Sequence, residues 1–128
     1  MRPETFAKRA EHWYTEFKRV EAGVEAWRQG NIEEFGRLSF ESGYSSIHNW
    51  ETGSPELIKL YEIMTQTDGI YGGRFSGAGF KGCCMALIDP AYWESILARV
   101  QAEYLAAFPA LEGKYSAHIC HTADGVKL

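Results

Sequence analysis

The chain has 128 residues, a formal charge of −4, 45% apolar and 23% charged residues, and four Trp, seven Tyr and seven Phe. That is one domain's worth of ordinary globular protein, long enough to bury a core without staples. The charge gives no general electrostatic case for nucleic acid or an anionic membrane, and no apolar run is long enough to span a bilayer.

Phe6, Ala10, Trp13, Phe17, Val20, Val24 and Trp27 recur at spacings of four and three. They predict a long first helix whose apolar stripe packs into the core, with charged residues on the other faces. Gly30-Asn31 ends this helix and caps the next. The second helix carries Ile32, Phe35, Leu38 and Ser39 and runs on, bent near Gly43, through the serine-rich segment to Glu51. Small residues there let another element pack closely. Ser54-Pro55-Glu56 is a helix start, with Leu57, Leu60, Tyr61 and Met64 as the buried face of the third helix and Asp68-Gly69 as its stop.

Next come two strand-like runs around a glycine-rich loop. Gly72, Gly73, Gly77, Gly79 and Gly82 crowd one short stretch, and Cys83-Cys84-Met85-Ala86-Leu87-Ile88 is an unbroken apolar run. Glycine costs backbone entropy, so such a cluster marks sharp bends or close approaches. The loop is expected to join two antiparallel neighbours, with Arg74 and Lys81 along one open edge. Its glycines alone read most simply as a tight hairpin, and a dinucleotide fingerprint fails because no helix follows. Asp89-Pro90 opens a fourth helix, with Trp93, Ile96, Leu97, Val100, Tyr104 and Ala107 on one stripe. Lys114 to Thr122 alternates like a last strand. The order predicts an α+β two-layer sandwich, helices on one face of a small antiparallel sheet.

Other chemistry is thin. His118, Cys120 and His121 with Cys83 and Cys84 lack the spacing of a zinc motif, so no metal site is expected. Ser42, Ser45, Ser46 and His48 lack a nucleophile elbow, so no hydrolase is expected. Three cysteines, two of them adjacent, and an amino terminus without a signal-peptide pattern suit a reduced cytoplasm.

The string Gly69-Ile70-Tyr71-Gly72-Gly73-Arg74-Phe75-Ser76-Gly77-Ala78-Gly79-Phe80-Lys81-Gly82-Cys83-Cys84 resembles the third motif of the GHMP small-molecule kinases, specifically the galactokinase-like sugar 1-kinases. Glu33-Glu34-Phe35-Gly36-Arg37-Leu38 with Glu41-Ser42, and Gly53-Ser54-Pro55-Glu56-Leu57, resemble the segments before it, and the likeness runs from about Arg9 to Gly125. Ser45-Ser46-Ile47 with Asn49, Cys83-Cys84 and Lys81 lean toward the galacturonokinase branch. Lys81 replaces a usual Gly, Ala78 a common Gly, Tyr44 a frequent basic residue and Trp50 a usual Tyr.

The resemblance implies a ferredoxin-like carboxy-terminal domain spanning 1–128. The amino-terminal domain that holds ATP and sugar is expected to be absent, and with it the catalytic groups, so the chain holds no catalytic residue and is inactive alone. It implies that Gly77, Ala78, Gly79, Phe80, Lys81 and Gly82, with Arg74, line the active-site cleft. ATP and Mg²⁺ belong to the complete enzyme, as does the sugar, and none is expected on this chain by itself. The chain reads as a separate subunit, a remnant or a piece of a longer kinase. Its expected partner is the amino-terminal kinase half, or a second copy, met through Tyr44, Ile47 and Trp50. The alternative is a stand-alone binding module that kept the fold and lost catalysis.

Overall fold

A computed structural model describes residues 2–127. Helix α1 spans Pro3–Arg28, with a proline in its first turn. Gly30 turns the chain at φ +68°, and the Asn31 side chain caps α2, Ile32–Ser45, by accepting from the Glu34 N–H. The helix then passes into a π-helical turn, Ser46–Trp50. Ser54 caps α3, Pro55–Thr65. Strands β1, Ile70–Phe75, and β2, Cys84–Ile88, pair antiparallel with a register shift between Ile70 and Gly72. A short 3₁₀ turn leads into α4, Trp93–Ala107.

Helices α2 and α3 lie on β1, and α4 packs on α3. Ile63, Ile96, Val100 and Tyr104 form one buried cluster, and Phe75, 1% exposed, is the most enclosed large side chain. Three glycines set the distance between helix and sheet. A Cβ on Gly72 would lie 2.0 Å from the Gly36 carbonyl oxygen, and one on Gly36 would lie 2.3 Å from that of Tyr71. Gly43 makes the room expected of small residues, because a Cβ there would lie 2.5 Å from the Tyr61 ring.

Two expectations are corrected. The α1 stripe is not core: Trp13 is 70% exposed and Phe17 55%, and Phe6, Val20, Val24 and Trp27 are also open. The inner side of α1 is instead built from Gly23 and Ala26 and from polar side chains that meet α2. Helical periodicity locates an apolar stripe but not the layer that covers it. The segment from Lys114 to Thr122 is not a strand either. Tyr115 packs on Tyr104, but the residues after it are exposed and find no ladder partner among the described residues. A strand pattern without a neighbouring strand leaves its backbone groups to water. The sheet therefore has two strands among the described residues. No helix among them is long and apolar enough to cross a membrane.

Candidate functional site

The loop from Ser76 to Cys83 does join antiparallel neighbours. Gly77, Gly79 and Gly82 take φ of +74°, +79° and +106°, where an L side chain is strained. The loop is pinned at one point. Gly79 lies so close to the Phe75 ring that a Cβ would be 2.5 Å from it, and its carbonyl accepts from the Ser54 N–H at 2.7 Å. Ser76 N–H closes the base of the loop on the Cys83 carbonyl at 2.9 Å.

The rest of the loop faces solvent. Gly77, Ala78, Phe80, Lys81 and Gly82 are exposed, and the N–H groups of Gly77, Ala78, Phe80 and Lys81 find no acceptor among the described residues. Free backbone donors in a glycine-rich turn, with a lysine beside them, are suited to anionic oxygens.

Arg74 Nε donates to the Phe75 carbonyl at 3.1 Å, and its guanidinium lies over the Phe75 ring. Its guanidinium is directed to the helices, where it donates to Ser42 Oγ and lies 4.0 Å from Glu16 Oε1. Ser42 in turn donates to Glu16 at 2.7 Å, and Arg19 holds the other Glu16 oxygen at 2.9 Å. His12 Nδ1 meets Ser45 Oγ at 2.8 Å, and Asn49 donates to the same oxygen at 3.1 Å. Burial lowers the His12 pKa; Glu16 opposes this, while Arg19 and Arg74 add to it. This polar seam joins α1, α2 and β1. Its members on α1 escape sequence reading because they fall off the apolar stripe; the serine-rich composition of α2 was the available signal.

The expected contact residues divide. Tyr44, 59% exposed, lies on His48, with ring centroids 4.1 Å apart. Trp50, 45% exposed, leans toward His12 and Arg9 of α1. Ile47 is half-buried. An open cleft of about 480 Å³ lies elsewhere, between α1 and α2, lined by Val20, Val24, Trp27, Phe35, Arg19 and Arg74 among others.

The neighbouring cysteines differ sharply. Cys83 and Cys120 are exposed. Burial, with Cys83 adding to it, pushes the Cys84 thiol up to about 12. Since the thiolate is the reactive form, a disulfide reagent at pH 8 should titrate Cys83 and Cys120 quickly and Cys84 only on unfolding. Replacing Cys84 with Ser should leave the fast amplitude unchanged, and a lower amplitude would contradict the assignment. Among the described residues no group of three His, Cys, Asp or Glu side chains is placed to hold a metal ion.

Residues 24–106 match the family model described as "GHMP kinases C terminal". The chain is 47% identical over 126 residues to the galacturonokinase of Arabidopsis thaliana, covering 95% of this chain and 30% of that protein. It is 32% identical over 128 residues to the galactokinase of Bos taurus, covering all of this chain and 31% of that protein. The crystal structure of Lactococcus lactis galactokinase complexed with galactose superposes with a TM-score of 0.77 at 31% identity, over 82% of this chain and 27% of that one. The chain thus spans about a third of the length of the relatives it matches. With the family model covering most of the chain and the fold matching a solved galactokinase, this chain belongs to the GHMP kinase C-terminal family.

Proposed function

We propose that this chain is the carboxy-terminal part of an ATP-dependent sugar 1-kinase and that its loop Gly77–Gly82 lines the active-site cleft. The observation that carries this reading is the loop itself. It is fixed at Gly79 by Phe75 and Ser54, yet the backbone N–H groups of Gly77, Ala78, Phe80 and Lys81 meet no acceptor among the described residues. Phosphoryl transfer places negative charge on phosphate oxygens, and fixed donors stabilise that charge without reorganising.

The residues present fit only part of a nucleotide site. The loop can contact a phosphate, but no donor cluster for Mg²⁺ accompanies it among the described residues. No step is therefore derived through the metal. What this chain contributes is a rigid wall and hydrogen-bond donors; the phosphate cradle, the metal and alignment of the acceptor hydroxyl come from elsewhere in the complete kinase. The bare apolar stripe of α1 and the exposed Tyr44 and Trp50 suit a domain that is covered by that other part.

Galacturonate is the favoured sugar. Identity is 47% to a galacturonokinase against 32% to a galactokinase. Lys81, exposed beside the loop donors, adds a cation suited to a sugar acid. In the complete kinase, the specificity constant for galacturonate should exceed that for galactose by at least about tenfold, the scale of one charged contact. Lys81→Gly should narrow that ratio. Equal constants for both sugars, or a preference for galactose, would reject the uronic-acid reading.

A further inference from the structure

Glu51 is the one non-glycine residue among the described residues with positive φ, at +60°. An L side chain crowds its own backbone there, and glutamate lacks the short polar side chain that helps Asn or Asp. Something outside the turn must hold it. Two cations from the first turns of α1 do so. Lys8 Nζ lies 3.0 Å from Glu51 Oε1, and Arg9 Nη2 lies 3.0 Å from Oε2. Arg9 also donates to the Asn49 carbonyl, one of those left open where the π-helical turn ends, and its guanidinium lies over the Trp50 ring. Lys8 and then Arg9 hold the Glu51 carboxyl below its ordinary pKa.

The turn leads directly to the loop's anchor. Thr52 donates both N–H and hydroxyl to the Ser46 carbonyl. Gly53 follows at φ +104°, packed against Ile58 and Phe75, and Ser54 then donates its N–H to Gly79. A short connection therefore runs from an ion-pair clamp on α1 to the point where the glycine loop is pinned.

We propose that Glu51 is a positioning residue: Lys8 and Arg9 hold it in the left-handed turn that sets Gly53 and Ser54 beneath the glycine loop, so that α1 governs how firmly that loop is seated. The consequence for catalysis rests on the reading of Gly77–Gly82 as a cleft loop. The test does not, because it needs neither sugar nor nucleotide and can fail while that reading stands.

The test is amide hydrogen exchange, followed by NMR on the 128-residue chain. Glu51→Ala and Arg9→Ala should each speed exchange at Thr52 and Ser54 by about tenfold, while Ile63 and Met64 in α3 keep wild-type rates, as expected of a local opening. Arg9→Lys, which keeps the charge, should recover part of the protection. Because the pairs are exposed, raising salt to about 1 M should speed Ser54 exchange in the wild type and leave Glu51→Ala unaffected. Ser54 rates within about twofold of wild type in both alanine variants would overturn the proposal. So would loss of protection through α3 as well, which would make the clamp a support of the whole domain, or a wild-type rate indifferent to salt.

Discussion

Replacing Gly72 with Ala should unfold the domain or bring it close to unfolding. The added Cβ would lie 2.0 Å from the Gly36 carbonyl oxygen and 2.3 Å from the Gly36 Cα. Both are backbone atoms, so no side-chain rotation relieves the overlap; α2 and β1 must move apart. Gly36→Ala meets the same contact from the other side, with the Tyr71 carbonyl oxygen at 2.3 Å. Alanine gains about 1 kcal/mol over glycine in a helix, so propensity alone predicts that Gly36→Ala stabilises. The clash should win, because forcing apart a close-packed interface costs about 3 kcal/mol or more. Against a typical total of about 5–15 kcal/mol, either substitution takes a large share of the stability.

Two controls separate this contact from a general effect of losing glycine. Gly125 has open space for a Cβ and an ordinary φ, so Gly125→Ala should be neutral. Gly77 also has open space but a φ of +74°, so Gly77→Ala should cost only about 1–2 kcal/mol, the left-handed penalty. Urea midpoints give the ranking. A Gly72→Ala midpoint matching that of Gly77→Ala would show that α2 and β1 are not held at this distance.

The features legible in the sequence were those with local causes. The caps at Asn31 and Ser54, the proline start of α3 and the hairpin around the glycine loop each depend on a few neighbouring residues, and each stands where the pattern put it. The misreadings concern what lies across from an element. Phe6 to Trp27 is a true helical stripe, but its face is bare because the side that meets α2 carries His12, Glu16 and Arg19. Lys114 to Thr122 has strand alternation but no adjacent strand among the described residues. Arg74 on β1 meets Ser42 and Glu16, partners distant in sequence that no local pattern announces. The clamp on Glu51 was invisible for the same reason: its ion pairs reach across 42 and 43 positions.

The bare face of α1 gives the second large effect. Supplied with ATP, Mg²⁺ and either galacturonate or galactose, the 128-residue chain should release no sugar phosphate above a protein-free control. Transfer of a phosphoryl group requires the phosphates cradled, the metal held and the acceptor hydroxyl in line, and the loop donors answer only part of the first requirement. Nucleotide binding should be correspondingly weak, with no micromolar constant by calorimetry, because isolated phosphate contacts recover little of the entropy lost on binding. Adding the amino-terminal part of a galacturonokinase as a separate chain should restore turnover by covering the exposed aromatics. Interface aromatics commonly contribute about 2 kcal/mol each, or more than tenfold in affinity. The pair Trp13→Ala with Phe17→Ala tests the α1 stripe, and Tyr44→Ala with Trp50→Ala tests the end of α2 and the π-helical turn. Whichever pair raises the concentration of partner needed for half-maximal turnover marks the contact face. Because Trp13 and Phe17 are more than half solvent-exposed in this chain, that pair should keep the wild-type urea midpoint. Turnover by the chain alone would overturn the half-enzyme reading, and restored turnover unaffected by either pair would place the contact on another surface.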